Sequence, residues 1–287
     1  MSPLLSAQAL RERLGRPGLV VVDCRHVLAD ADAGERAWRQ ARIPGAVHAH
    51  LDRDLCDLSR PASEGRHPLP RVGDFLALLE RLGISPASDV VAYDDAGGAM
   101  AAARFWWLLR LLGHARVSVL DGGLAAWRAI GGPLERDEPR PPARGRYLAG
   151  FDHGQVAGTE EVLAGLGQAP GWLLDMRAPE RYRGEQEPLD PVAGHIPGAV
   201  NRPFALNLEA DGRFKPAEVL RHEYEALLRG RPPDQVLLYC GSGVTACHGL
   251  LAMEHAGLAG ARIYAPSWSG WVSDRARPVE TGEPARS

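Results

Sequence analysis

Three features of this 287-residue sequence predict an α/β chain of two tandem domains, each a parallel sheet flanked by helices on both faces. Short β-rich runs alternate with helical segments, which is the pattern of strands joined by crossover helices. The same landmarks occur twice in the same order, roughly 150 residues apart, a period too long for a solenoid and suited to a duplicated domain. A stretch rich in proline and arginine, Pro139-Arg140-Pro141-Pro142-Ala143-Arg144-Gly145, separates the two sets.

In the first half, Leu19 to Asp23, Val90 to Tyr93 and Val117 to Leu120 read as strands. Val72 to Leu82 carries apolar residues at helical spacing, and Ala99 to Leu112 is a long helix former whose Phe105, Trp106 and Trp107 are expected to pack in a core. In the second half, Trp172 to Asp175 and Val236 to Tyr239 are strand-like, and Pro216 to Leu228 has helical periodicity. Val21-Val22-Asp23-Cys24-Arg25 pairs with Leu173-Leu174-Asp175-Met176-Arg177, Ile43-Pro44-Gly45-Ala46-Val47 with Ile196-Pro197-Gly198-Ala199-Val200, and Trp127 with Trp271. The expected division is therefore a domain at 1–138, a linker at 139–152, a second domain at 153–280 and a surface tail at 281–287.

Composition narrows the function classes. Lys+Arg 33 against Asp+Glu 36 gives a formal net charge of -3, so there is no positive field to draw nucleic acid or acidic lipid. No run approaches the ~18 apolar residues of a membrane span, and the N-terminus lacks the ordered regions of a secretory signal, which points to the cytoplasm. The four cysteines, Cys24, Cys56, Cys240 and Cys247, show no CxxC or zinc spacing, so neither a disulfide scaffold nor a metal is expected.

The two halves differ most after the strand ending at a tyrosine. The first continues Tyr93-Asp94-Asp95-Ala96-Gly97-Gly98, the second Tyr239-Cys240-Gly241-Ser242-Gly243-Val244-Thr245, so Asp94 stands where Cys240 stands. Only the second half can hold a nucleophile. A glycine-containing loop running from a strand into a helix points backbone N–H groups at its centre, and the helix dipole adds positive potential. Such a cradle favours a Cys240 thiolate, a nucleophile at neutral pH. A cysteine phosphatase would need an arginine at the sixth residue after the cysteine, and that residue is Ala246. The group held there is more plausibly one sulfur atom, as a Cys240 persulfide. Cys247 lies about two helical turns beyond Cys240, outside disulfide reach, and reads as a packed helix cysteine.

The segments Leu174-Asp175-Met176-Arg177, Arg181-Tyr182-Arg183-Gly184, Gly194-His195-Ile196-Pro197-Gly198-Ala199 and the Cys240 to Thr245 loop together resemble the tandem-domain rhodanese family of thiosulfate and 3-mercaptopyruvate sulfurtransferases. The resemblance spans roughly Leu4 to Val279 and implies a catalytically inactive first domain and a catalytic second one. Cys-Gly-Ser-Gly-Val-Thr is similar to the loop of mercaptopyruvate enzymes, whereas thiosulfate enzymes usually carry basic residues at its second and third positions. The resemblance therefore implies sulfur transfer from 3-mercaptopyruvate through a Cys240 persulfide, with no cofactor. Ser242 would assist proton transfer, backed by His67 and Asp52. Gly241, Gly243, Val244 and Thr245 would line the bound group, and Arg181 would hold the substrate carboxylate, with an ion pair as its competing role. Asp175 and Arg177 would organise the site from the strand end, and His195 would serve as a structural hydrogen-bonding residue.

Acceptors implied are cyanide, a low-molecular-weight thiol or thioredoxin. Glu187-Pro188-Leu189-Asp190-Pro191 lacks the second arginine that mercaptopyruvate enzymes usually carry in this acidic loop, Leu189 standing in its place. Two alternatives stay open, a thiosulfate:cyanide sulfurtransferase and a persulfide carrier with no small-molecule donor.

Overall fold

The computed structural model describes residues 2–98, 101–137, 143 and 146–282. Of the linker at 139–145, all but Ala143 lies outside the described residues, as do 283–287 of the tail. Ten strands form two sheets: β1 (Leu4–Leu5), β2 (Leu19–Asp23), β3 (Val47–His48), β4 (Asp89–Tyr93) and β5 (Val117–Leu120), then β6 (Val156–Ala157), β7 (Leu173–Asp175), β8 (Val200–Asn201), β9 (Leu237–Tyr239) and β10 (Arg262–Tyr264). The strand orders are β1-β5-β4-β2-β3 and β6-β10-β9-β7-β8. They are the same order twice, and every pairing is parallel.

The longer strands fall where β-branched runs predict them. β1, β3, β6 and β8 are two residues each and carry no legible alternation. They exist because a neighbour supplies the ladder, as β5 does for Leu4 and Leu5.

Two compact units result. The first comprises Met1–Asp57, Leu69–His153 and Leu208–Phe214, and the second Leu58–Pro68, Gly154–Asn207 and Lys215–Ser287. A single cut at 139–152 does not describe this division, because two short segments pack with the other half of the sequence. Leu58–Pro68 belongs with the second unit, where its 3₁₀ turn Ala62–Glu64 lies against helix Ser267–Trp271.

In the first unit, Leu10 of helix Ala7–Arg13 and Leu124 and Trp127 of helix Gly123–Ala129 pack with Val21, Val91 and Tyr93. Helix Ala101–Leu111 covers β4 and β5, and all of it but Arg110 is buried. Trp106 and Trp107 are core residues as predicted, at 1% and 2% exposure. In the second unit, Val162, Trp268 and Trp271 pack with Leu173, Leu237 and Tyr239. Leu238 points to the opposite face by strand alternation. There a Cβ on Gly249 of helix Thr245–His255 would lie 2.8 Å from the Leu238 side chain, so the glycine lets that helix sit close on the sheet. Burying each such aromatic or aliphatic side chain contributes about 1.5–3 kcal/mol.

Among the described residues, no helix is long and apolar enough to cross a membrane.

Candidate active site

β9 ends at Tyr239, and Cys240 to Val244 form the loop into helix Thr245–His255. Gly243 takes φ +81°, a left-handed angle that a side chain would resist, and this turn directs its N–H to Cys240 Sγ at 3.1 Å. Cys240 is 2% exposed, at the N-terminal end of an 11-residue helix. A sulfur that accepts a backbone N–H at a helix start is placed to carry negative charge. Val244 is buried beside it, and Thr245 is the first helical residue.

Three contacts that sequence reasoning missed pin the loop from below. Cys240 N donates to Ser267 Oγ at 3.2 Å, Trp268 N to the Cys240 carbonyl at 2.9 Å, and Ser269 N to the Gly241 carbonyl at 2.9 Å. Ser267 is fully buried with φ +55°, uncommon outside glycine, and its hydroxyl also donates to the Tyr264 carbonyl at 3.0 Å. The strained residue is thus held by the contacts that fix the Cys240 backbone.

The first unit makes the same loop with an internal anion. Asp94 Oδ1 accepts from Ala96 N at 2.9 Å and Gly98 N at 2.8 Å, and Oδ2 from Ala102 N at 3.3 Å. A carboxylate fills the cradle and no thiol is present. Burial pushes the Cys24 thiol well above its ordinary pKa and that of Cys56 up to about 12, which removes both as nucleophiles at neutral pH. Cys247 is a packed helix cysteine whose Sγ–H reaches the Gly243 carbonyl at 3.3 Å.

His67 and Ser242, 175 residues apart in sequence, meet in the second unit with Nδ1 and Oγ 2.7 Å apart, both buried. Gly65 makes this possible. It adopts φ +90°, and a Cβ there would lie 2.4 Å from the Pro266 carbonyl oxygen. Next to it, Arg66 N donates to Ser269 Oγ at 2.9 Å. Gly65→Ala is therefore expected to cost about 1–3 kcal/mol of stability and to lower turnover by displacing His67. Thermal melts and steady-state rates check this, and an unchanged enzyme would show that the 65–67 segment is not what positions His67.

Asp52 lies in the first unit, in helix Leu51–Asp54, with His26 and His50 near enough that one ligand atom from each falls within 4.8 Å of the others. The trio is poorly suited to a metal. His50 Nδ1 accepts from Asp52 N at 3.1 Å and Arg53 N at 3.3 Å, so this ring nitrogen is already used to cap the helix.

Asp175 and Arg177 form a buried fork. Arg177 Nε lies 3.0 Å from both Asp175 oxygens, and Nη2 donates to Oδ2 at 2.6 Å and to the Gly194 carbonyl at 2.7 Å. The guanidinium lies over the Trp268 ring, 4.6 Å from its centroid. Burial opposes its charge, but Asp175 more than offsets this and raises its pKa above the ordinary arginine value. Asp23 and Arg25 repeat the arrangement in the first unit, at 3.0, 2.9 and 2.6 Å. Because the copy with Asp94 in place of the loop cysteine has the same pair, its role is to tie the strand end to the following chain. His195 is likewise structural, stacked on Tyr182 at 3.8 Å with Nδ1 2.8 Å from that residue's carbonyl.

Arg181 is held by acids. Its Nε and Nη2 donate to Glu187 at 3.1 and 2.7 Å, and Nη2 also to Asp190 at 3.1 Å. The ion pair expected as the competing role of Arg181 is thus present. Asp190 accepts in addition from Arg66 Nη1 at 2.5 Å. Burial raises the Asp190 carboxyl's pKa, with Arg66 pulling the other way. Arg66, Glu187 and Asp190 had no site role assigned from sequence, although Arg66 sits beside His67 and the acidic loop was recognised for its lack of arginine.

Sequence comparison matches a Rhodanese-like domain to residues 6–130 and again to 159–274. The chain belongs to the tandem-domain rhodanese family of sulfurtransferases. It is similar to a protein of Pseudomonas aeruginosa named "Probable 3-mercaptopyruvate sulfurtransferase", 49% identical over 98% of each chain. It is also similar to the thiosulfate sulfurtransferase of Gallus gallus, 33% identical over 93% of this chain and 92% of the relative. The solved 3-mercaptopyruvate sulfurtransferase of Leishmania major is 31% identical, superposes with a TM-score of 0.80 and covers 93% of this chain and 73% of its own. Two rhodanese copies, with a cysteine at the loop position of the second and Asp94 at that of the first, agree with the repeat found in the sequence.

Proposed function

We propose that this rhodanese-family chain transfers sulfur from 3-mercaptopyruvate to a thiol or cyanide acceptor through a persulfide on Cys240. The observation that carries the reading is the Ser242–His67 contact of 2.7 Å, two residues from a cysteine held in a backbone cradle.

The Cys240 thiolate attacks the donor's sulfur, the S–S bond forms, and the carbon–sulfur bond breaks with its electron pair leaving on pyruvate enolate. The donor's sulfur remains as Cys240–S–S⁻, and the proton of its thiol is taken up by His67. The Ser242 hydroxyl, backed by His67, delivers the proton that turns enolate into pyruvate, and His67 resupplies the serine. Gly241, Gly243, Val244 and Thr245 line the space for the second sulfur, beside the Gly243 N–H that already holds Cys240 Sγ. An acceptor thiolate or cyanide then attacks the outer sulfur and regenerates the Cys240 thiolate. Thioredoxin or a low-molecular-weight thiol suits this step. The Asp94 carboxylate leaves the first unit without a centre of its own.

A thiosulfate donor is the second reading, favoured by the two guanidinium groups near the loop. Side-by-side kcat/KM for 3-mercaptopyruvate and thiosulfate, with cyanide as common acceptor, separates the two. Preference for mercaptopyruvate supports the relay through Ser242, and Ser242→Ala should then slow mercaptopyruvate turnover by about 10²-fold or more. Preference for thiosulfate would sink the donor assignment and leave the persulfide step standing. Uptake of sulfur from a protein with turnover of neither donor would favour a carrier. Arg181→Lys keeps the charge but loses the fork, and should weaken mercaptopyruvate binding by about 1–3 kcal/mol.

A further inference from the structure

We infer that Arg66 is the second guanidinium of the donor-anion site, working beside Arg181, and that it sets the preference for a carboxylate-bearing donor. This rests on the 3-mercaptopyruvate reading and adds a residue to it.

The argument is one of edges. Glu187 and Asp190 engage Nε and Nη2 of Arg181, and Asp190 engages Nη1 of Arg66. Among the nitrogens these acids leave are Arg181 Nη1 and Arg66 Nη2. A Cβ placed on Gly241 would lie 3.2 Å from the first and 3.3 Å from the second. Both unused edges therefore face the residue that follows Cys240, where the far end of a donor whose sulfur meets Cys240 comes to rest.

Asp190 puts one oxygen on each arginine and so holds two like charges side by side. A carboxylate, with two oxygens of its own, can take one edge from each, an arrangement that a point charge could not reproduce. Gly241 keeps that approach open, since any side chain there would meet both guanidinium groups. Arg66 is anchored for the task by Gly65 and by its own N–H on Ser269, yet its side chain remains 32% exposed and can meet a ligand. Leu189, by contrast, is exposed and has no charge to offer.

The test separates anion binding from sulfur transfer. Cys240→Ser cannot accept sulfur, so calorimetric titration of that protein with 3-mercaptopyruvate reads the anion site alone. Adding Arg66→Gln should weaken binding about tenfold or more, and Arg66→Lys should fall between. 1-Mercaptopropan-2-one, the same keto-thiol without its carboxylate, should bind both proteins within about twofold. Equal affinity for 3-mercaptopyruvate with and without Arg66, an equal loss for both ligands, or no binding of 3-mercaptopyruvate to Cys240→Ser would each overturn the assignment. Arg66-dependent binding with no turnover by the unmodified enzyme would instead remove the proposed reaction and leave Arg66 in its place. Thermal melts of Arg66→Gln and Arg66→Lys verify that each is folded.

Discussion

Cys240→Ser is expected to abolish sulfur transfer, with turnover down by at least about 10³-fold for either small-molecule donor. No other group can substitute. Burial raises the pKa of the Cys24 and Cys56 thiols, Cys247 is packed in helix Thr245–His255 on the Gly243 carbonyl, and the matching loop of the first unit holds Asp94. Intact-protein mass spectrometry after incubation with 3-mercaptopyruvate should show the gain of one sulfur atom in the unmodified chain and none in Cys240→Ser. Cys247→Ser should still gain it. A persulfide on Cys240→Ser, or its loss in Cys247→Ser, would move the reaction to another thiol. The serine hydroxyl is close to isosteric, so the backbone contacts to Ser267 and Trp268 should survive and the melting temperature should stay near that of the unmodified protein.

Asp175→Ala is expected to have the largest effect on stability. It takes the principal acid, with three contacts, from a buried guanidinium that keeps the Gly194 carbonyl and Glu187 at 3.4 Å, and breaking such a pair costs about 3–5 kcal/mol. At roughly 2–4 °C per kcal/mol, the unfolding midpoint of the second unit should drop on the order of 10 °C. Asp23→Ala should destabilise the first unit to a similar degree, because its carboxylate makes the same fork with Arg25. Differential scanning calorimetry of the two variants makes the comparison. If Asp175→Ala melted normally yet lost activity while Asp23→Ala was destabilised, the Asp175 pair would belong to the chemistry and not to the fold.

Much of this protein was legible in one dimension. The strands Leu19–Asp23 and Val117–Leu120 and the core helix around Trp106 follow from local pattern, because each is long enough for its periodicity to show. The duplication, and the exchange of a cysteine for Asp94 within it, needed only the chain compared with itself. The loop around Cys240, the proposed nucleophile, was equally plain, since the residues that surround Cys240 are its immediate neighbours and their conformational needs are written in their identities.

Other features depended on distances between residues far apart in sequence. The two-residue strands β1, β3, β6 and β8 have no signal of their own and are made by a neighbour's hydrogen bonds. Segment Leu58–Pro68 packs with the unit built mainly from the second half of the chain, held by a glycine that meets the Pro266 carbonyl. That contact brings Arg66 to Asp190 and His67 to Ser242. From sequence alone the acidic loop is one arginine short, for it shows only what stands at position 189. A guanidinium acts at the place where its nitrogens lie, and folding brings that of Arg66, more than a hundred residues upstream of Leu189, to the glycine beside Cys240.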